Sequence, residues 1–179
     1  ETGIGVLYAK KDLLESMPPF LTGGDMIREV RVDTTTYADI PHKFEAGTLN
    51  ISGIISLGAA IRYIEAVGYD VIRRHEEALL AYCRDGLQTI KGVSIIGEGS
   101  TLQRSGLITF TVDGVHPHDL AQMMGDNNIC LRAGHHCTMP LHTALGLPAT
   151  TRVSFSLYNT KEDVDIFLQN IHSIKQFFK

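Results

Sequence analysis

The sequence contains no tryptophan, and its 179 residues include only three cysteines, Cys83, Cys130 and Cys137. A small, odd number of cysteines does not suit a disulfide framework and favours a reducing, cytoplasmic setting. No apolar run approaches the roughly 20 residues of a membrane span. The opening segment also lacks the basic region and long apolar core of a signal peptide. These absences predict neither a disulfide-stapled secreted domain nor a membrane partner.

Positive charge is not in excess, because 16 Lys and Arg residues face 20 Asp and Glu residues, which gives a net charge of −4. Nucleic-acid-binding domains are usually basic, so we expect no nucleic-acid partner. The length and the hydrophobic content of 44% suit one domain, or one domain with part of another. An initiator methionine is also missing. We therefore expect a fragment of a longer protein.

The second part of the chain alternates between helical and strand patterns. Hydrophobic periodicity, caps and turn residues predict the order α-β-β-α-β-α-β-α from residue 70 onward, which is a complete small α/β unit. Thr160 and Asp163 resemble a capping pair at the start of the last helix. The predicted helices cover 70–91, 117–127, 138–146 and 160–178, and the predicted strands cover 93–97, 106–112, 129–133 and 151–157.

The first part of the chain is less regular. Residues 4–9 form a short apolar run that predicts a buried strand. Residues 21–50 have no helical period and contain several Gly and Pro residues, so we expect a long, mostly irregular segment. Residues 52–67 have helical spacing, with Ser52 as the expected N-cap.

A cluster of chemically active side chains occupies residues 132–142, which read RAGHHCTMPLH. His135, His136, Cys137 and His142 are residue types that bind zinc. Adjacent histidines usually point apart, however, and no second C-x-x-C or H-x-x-x-H pair completes a tetrahedral site. The sequence therefore predicts no intrinsic metal site.

The remaining interpretations of a cysteine are a buried thiol and a nucleophile. Burial suits Cys130, which lies inside a predicted apolar strand, and Cys83, which lies on a predicted helix. Cys137 instead follows a strand end, lies among histidines and precedes a short helix. Histidines and a helix N-terminus both favour a reactive thiolate, so the nucleophile interpretation is preferred for Cys137.

Arg132 and Arg152 lie near the ends of neighbouring predicted strands. Most arginines are simply solvated, and that interpretation is the default. An arginine at a sheet end can instead bind a carboxylate through two donors. Together with Cys137, these arginines suggest a thiol nucleophile facing a substrate that carries a carboxylate. The spacing of the residues goes no further than this.

Several motifs in order resemble a known family. RAGHHC followed by MPL resembles the active-cysteine loop of SufS-type (group II) cysteine desulfurases, which belong to the class V aminotransferases with the fold-type I architecture of pyridoxal-phosphate (PLP) enzymes. The resemblance covers essentially the whole chain and implies an α/β fold, the C-terminal half of such an enzyme. Residues 1–66 would end the large PLP-binding domain and supply the inter-domain helix, and residues 67–179 would form the small domain with the cysteine loop. Further matching segments are TGIGVLY, GGDMI (23–27), FEAGTLN (44–50) and TRVSFSLYNTKEDVD (151–165).

The resemblance implies a role for each residue of the cysteine loop. Cys137 would attack the sulfur of L-cysteine held on PLP, keep that sulfur as a persulfide and leave L-alanine. The persulfide sulfur would supply iron–sulfur cluster assembly. Arg152 would bind the substrate carboxylate, and Arg132 and His135 would surround the thiol and substrate.

The resemblance also concerns the cofactor. Gly47 and Thr48 would reach the phosphate of the partner subunit's PLP, which implies a homodimer. The lysine that binds PLP in the family lies just upstream of TGIG, and Lys10 and Lys11 are not substitutes for it. We therefore expect this chain to be catalytically silent by itself.

The segment HPHDLA (116–121) has two interpretations. The plain one is a helix start, with Pro117 at the first position and His118 merely exposed. The resemblance implies a sharper one, since relatives with HPHD pass sulfur to SufU, a small zinc-bearing acceptor, whereas others use SufE. His118 could bind the acceptor's zinc during docking, because neutral imidazole is a preferred zinc ligand.

Two other functions remain open at this point. The same scaffold could serve as a selenocysteine lyase or a cysteine sulfinate desulfinase, or the chain could be a non-catalytic docking module. Thr138 and His142 also depart from the alanine and methionine that are usual in the family. These departures leave the rate and the choice of acceptor open rather than the reaction type.

Overall fold

The computed structural model describes residues 3–98 and 106–178. The chain divides into two compact units, Glu1–Ala66 and Val67–Lys179. Whether these units correspond to the end of a large PLP domain and to a small domain stays a prediction from the resemblance.

The first unit contains short elements followed by one long helix. Helix α1 spans Lys11–Ser16, strands β1 (Ile27–Val30) and β2 (Thr35–Tyr37) form an antiparallel hairpin, and helix α2 spans Ile51–Val67. A single 3-10 turn, His42–Phe44, lies between the hairpin and α2.

One prediction for the first unit is wrong and another is confirmed. Residues 4–9 form no strand, and the side chains of Val6 and Leu7 are exposed. An apolar run becomes a strand only when its backbone groups find a partner, and none of the described strands pairs with it. Residues 21–50 are mostly irregular, which confirms the prediction, and the feature that the sequence did not show is the hairpin. Its strands are short and mostly exposed, so no alternation of apolar and polar residues reveals them.

The cap of α2 also differs from the expectation. The side-chain oxygen of Asn50, not that of Ser52, accepts a hydrogen bond from the backbone N–H of Gly53 at 2.9 Å. Both residue types are good N-caps. Helix α2 begins at Ile51, so Asn50 and not Ser52 occupies the N-cap position.

The second unit has the predicted order of helices and strands, which is confirmed. Its four described strands form one antiparallel sheet in the order β3-β4-β6-β5. The elements are α3 (Tyr69–Thr89), β3 (Val93–Ile95), β4 (Leu107–Val112), α4 (Pro117–Asp126), β5 (Arg132–Gly134), α5 (Met139–Ala144), β6 (Thr150–Ser154) and α6 (Lys161–Phe177).

The core of the second unit lies between this sheet and helices α3, α4 and α6. Alternate residues of β4, among them Phe110, are buried, as expected for a strand with one covered face. The ring of Phe110 meets that of Phe167 edge-on, with the ring centres 5.9 Å apart. Cys83 is fully buried in the same core, so its structural interpretation is confirmed. Helix α4 packs against both β5 and β6, the strands that carry the site described below.

The prediction for Cys130 is wrong. Strand β5 begins at Arg132 rather than at residue 129, and Cys130 is exposed. β5 is the edge strand of the sheet, and pairing with β6 begins only at Arg132. The apolar residues before it therefore have no ladder to join.

The helices of the two units differ in how much of their surface is buried. Helices α3, α4 and α6 each bury one face against the sheet, whereas Gly53 is the buried residue of α2. Within the described ranges, no single helix is long and apolar enough to cross a membrane. The consecutive helices α2 and α3 reach that length and hydropathy only as a broken pair.

Candidate active site

Cys137 lies at the tip of the loop between β5 and α5, and its thiol is exposed. His136 and Cys137 both adopt left-handed backbone conformations, with φ of 51° and 62°. Residues other than glycine rarely adopt this region, and the surrounding structure must hold them there. Two such residues in succession turn the chain sharply before Thr138, the N-cap of α5. Backbone strain of this kind is concentrated at functional sites.

Two arginines flank the cysteine loop on adjacent strands. Arg132 and Arg152 are direct partners across β5 and β6. An Nη2 atom of Arg132 lies 3.8 Å from Sγ of Cys137 and donates to it. The Nε of Arg152 is buried and, among the described residues, has no hydrogen-bond partner. Because arginine stays charged, this donor requires an acceptor, and a carboxylate matches its geometry.

The predicted residue His135 lies beside His142, with ring centres 5.4 Å apart. The neighbouring His136 has both ring nitrogens buried and without a hydrogen-bond partner in the described ranges. Burial first, and then the guanidinium of Arg152, lower the pKa of His136, while the Thr150 backbone acts in the opposite direction. His136 is therefore neutral at physiological pH. Sequence reasoning considered His136 only as a metal ligand and missed this feature.

The metal interpretation finds no support in the side-chain arrangement. In the described ranges, no group of three His, Cys, Asp or Glu residues could hold a metal ion. Both ring nitrogens of His142 form hydrogen bonds, to Thr138 and to Thr150. A ring engaged on both sides has no lone pair free for a metal.

The predicted phosphate-binding pair, Gly47 and Thr48, lies in a cleft of about 550 Å³ within the first unit. Gly47 has a φ of 78°, and the space beside its Cα is open. The Thr48 hydroxyl and the nearby start of α2 can supply the donors and the positive end of a helix dipole. Asp25 and Glu45 line the same cleft and weaken its attraction for an anion. Gly47 and Thr48 therefore fit a phosphate, although the two nearby carboxylates repel it.

His118 lies at the start of α4 and is exposed. Its backbone N–H donates to Nδ1 of His116 at 3.3 Å, and the two imidazole rings are stacked 5.5 Å apart. Pro117 occupies the first turn as the plain interpretation predicts. The zinc-binding role of His118 stays a prediction.

Comparison with known proteins places this geometry in a family. The aminotransferase class-V family model matches residues 1–167. The chain is 47% identical over 176 residues to a probable cysteine desulfurase 2 from Mycobacterium leprae (strain TN), and the match covers 98% of this chain and 42% of that protein.

Solved structures agree with the family match. The cysteine desulfurase CsdA of Escherichia coli, in an S-sulfonic acid form, aligns with a TM-score of 0.92 and 37% identity, covering 99% of this chain and 43% of that chain. A C-DES mutant with glycine covalently linked to its PLP cofactor aligns with a TM-score of 0.70 and 22% identity, covering 92% and 40%. This second likeness shows the fold alone.

These relatives confirm the predicted fold class, an α/β part of a fold-type I PLP-dependent enzyme. The chain spans about 42% of the length of the curated relatives it matches. It aligns along nearly its whole length, so the match does not depend on the cysteine loop alone. The chain therefore belongs to the aminotransferase class-V family, with cysteine desulfurases among its relatives.

Proposed function

We propose that the protein containing this chain is a PLP-dependent cysteine desulfurase of the SufS type, which converts L-cysteine to L-alanine and holds the sulfur on Cys137. The observation that carries the proposal is the exposed Cys137 thiol, which lies 3.8 Å from a donor of Arg132. Arg132 pairs across the sheet with Arg152, whose Nε is buried and has no hydrogen-bond partner among the described residues. The cysteine desulfurase relatives, at 44–47% identity, support the same activity.

The residues of this chain divide the chemistry between them. The Cys137 thiolate attacks the sulfur of L-cysteine, so a sulfur–sulfur bond forms while the carbon–sulfur bond breaks. The electron pair of the broken bond stays with the carbon, which takes up a proton and becomes alanine. PLP, when bound, supplies the electron sink for this cleavage. The Arg132 donor stabilises negative charge on the sulfur of Cys137, and Arg152 binds the substrate carboxylate.

The cofactor and the quaternary structure belong to the same proposal. Gly47 and Thr48 bind the phosphate of the partner subunit's PLP in a homodimer. The open approach at Gly47 and the exposed apolar side chains of the first unit, such as Ile51, Ile55 and Tyr63, support this arrangement. The sulfur then passes to an acceptor of the SufU or SufE type for iron–sulfur cluster assembly in the cytoplasm.

The activity is tested in the full-length protein supplied with PLP and L-cysteine. We expect alanine together with a persulfide on the peptide that carries Cys137. The variant Cys137→Ser abolishes the persulfide, whereas Cys130→Ser, the matched exposed cysteine, leaves both products unchanged. Alanine without a persulfide would contradict the proposal in favour of selenocysteine or cysteine sulfinate as substrate. Neither product would favour a non-catalytic docking module.

The acceptor is tested separately. We expect His118→Ala to slow persulfide transfer to a SufU-type zinc protein without changing alanine formation under an artificial reductant. The exposed His172 on α6 supplies the control, since His172→Ala leaves transfer unchanged. Transfer by His118→Ala at the wild-type rate would exclude a zinc-binding role for this histidine.

A further inference from the structure

A buried histidine, His142, packs against the histidines of the exposed cysteine loop. His142 is 5% exposed, and it is one of three buried polar side chains among the described residues, with Thr150 and Thr151. Burial of an imidazole is unfavourable unless both nitrogens find partners. One partner of His142, Thr138, directly follows Cys137, and the other, Thr150, lies on β6 opposite Gly134.

The hydrogen-bond chemistry fixes the tautomer of His142. Nδ1 lies 3.1 Å from the carbonyl oxygen of Thr138, which can only accept, so Nδ1 carries the proton. The Thr138 hydroxyl donates to the carbonyl of His135 at 2.8 Å and is therefore also an acceptor towards Nδ1. In the neutral ring Nε2 must accept, and the Thr150 hydroxyl donates to it at 3.0 Å. The same hydroxyl has a longer contact of 3.5 Å with the carbonyl oxygen of Gly134.

This network closes the cysteine loop onto strand β6. Thr138 follows Cys137 directly, and Gly134 begins the loop at the end of β5. Gly134 pairs with Thr150 across the sheet, and His142 connects Thr150 to Thr138. Both ends of the loop are thus tied to one residue of β6. The network therefore constrains the two strained residues that lie between these ends, His136 and Cys137.

We propose that His142 and Thr150 form a positioning clamp that holds Cys137 in its left-handed conformation beside Arg132. Neither residue touches the substrate in this proposal, and both act through the backbone of the loop. The meaning of the clamp for catalysis rests on the proposed function. The clamp itself does not, because it can be measured as the local stability of the loop.

The matched variants Thr150→Val and Thr143→Val test the clamp. Both replace a hydroxyl by a methyl group of similar size, but the Thr143 hydroxyl is exposed and bonds only within its own helix α5. In the full-length protein we expect hydrogen exchange in the peptide 134–141 to become about fivefold faster in Thr150→Val, because the hydrogen bond to His142 and the longer contact with Gly134 are lost. Thr143→Val and the peptides of β4 stay at the wild-type rate.

A second pair of variants each replaces an imidazole ring by an apolar side chain. His142→Leu is compared with His172→Leu, which alters an exposed histidine on α6. Faster exchange confined to 134–141 in His142→Leu supports the clamp. Wild-type exchange there in Thr150→Val, or an equal increase over the whole second unit, would overturn it, because the network would then contribute nothing or only general stability.

Steady-state kinetics separate positioning from substrate binding. We expect Thr150→Val to lower kcat for alanine formation about fivefold while KM for L-cysteine stays within about twofold. A change confined to KM would contradict the positioning role. An enzyme that forms no alanine from L-cysteine contradicts the proposed function instead, and the exchange measurement then decides the clamp alone.

Discussion

Residues of the same type in this chain differ in burial and in hydrogen bonding. His135, His136 and His142 lie within eight positions, yet their surroundings differ. His135 is half-buried beside the ring of His142, His136 has buried ring nitrogens without a partner among the described residues, and His142 is buried in a hydrogen-bond network. The three cysteines differ in the same way, since Cys83 is buried whereas Cys130 and Cys137 are exposed. Surroundings, rather than residue type, decide the chemistry at each position.

The lowered pKa of His136 predicts a dependence of stability on pH. Its ordinary value is 6.5, and burial and Arg152 lower it in the folded state, while Arg132 and His142 act in the same direction. Between the two pKa values the unfolded chain binds more protons, so the stabilising contribution of neutral His136 is complete above about pH 6.5 and is lost as the pH falls below it. We expect urea denaturation to show a smaller loss of stability between about pH 7.5 and 5.5 in His136→Asn than in the wild type.

Asparagine is chosen for this variant because it tolerates the left-handed conformation of residue 136. His172→Asn, at an exposed position of α6, is the control and keeps the wild-type pH dependence. An equal pH dependence in His136→Asn and the wild type would exclude His136 as a source of it.

Local side-chain and backbone chemistry sets the ends of the secondary-structure elements. Helix α6 begins at a complete capping box, in which the Thr160 hydroxyl accepts from the Asp163 N–H and the Asp163 carboxylate accepts from the Thr160 N–H. This confirms the capping pair expected from the sequence. Helix α3 ends just before Gly92, whose φ of 79° lets the chain turn into β3.

We expect Thr160→Ala to destabilise the start of α6 by about 1 kcal/mol, because the N–H of Asp163 loses its acceptor. Hydrogen exchange in the peptide 158–168 should accelerate accordingly. Ser173→Ala, at an exposed position later in the same helix, removes a hydroxyl without removing a cap and should leave this peptide unchanged. Equal protection in Thr160→Ala and the wild type would show that the cap does not stabilise the helix.

Two glycine variants should change the free energy of unfolding in opposite directions. Gly92→Ala places a side chain at a positive φ and should destabilise the second unit by about 1–2 kcal/mol. Gly125→Ala lies in helix α4 with open space around it and should stabilise by about 0.5 kcal/mol. Urea denaturation midpoints of the two variants measure both effects. A stabilising Gly92→Ala would contradict the role given to the left-handed turn.

At the scale of the whole molecule, the two units bury their apolar side chains very differently. The second unit has a continuous core in which Phe110, Phe167 and Met124 are almost completely buried. In the first unit, Met26 is the buried hydrophobic side chain of the described residues, and many others are exposed. The second unit therefore has its own hydrophobic source of stability, which the first unit lacks within its described residues.

Cys83 should report the unfolding of the second unit. Burial raises its pKa to about 12, and its side chain is fully buried, so the folded protein presents no reactive thiolate there. We expect a thiol reagent at about pH 8 to modify Cys130 and Cys137 readily and Cys83 only as urea unfolds the unit. Peptide masses after timed labelling measure this order. Labelling of Cys83 in the native protein at the rate of Cys130 would contradict the described core.

The sequence by itself determined most of the second unit and the candidate nucleophile. Periodicity and caps predicted the order of its helices and strands, because each element carries its own apolar face and its own end signals. The motif around Cys137 and the ordered matches along the chain predicted the family, since several motifs in register are far more specific than one. The absence of strand 4–9 and the position of β5 escaped prediction because pairing depends on a neighbouring strand.

Only the tertiary structure decided how the residues around Cys137 act on one another. The pairing of β5 with β6 sets Arg132 opposite Arg152 and Gly134 opposite Thr150, which are 16 to 20 positions apart in the chain. His142 is buried between Thr138 and Thr150, and within the described ranges the Nε donor of Arg152 has no partner. Hydrogen bonds and burial across strands depend on register and distance, and no local pattern of residue types encodes either of them.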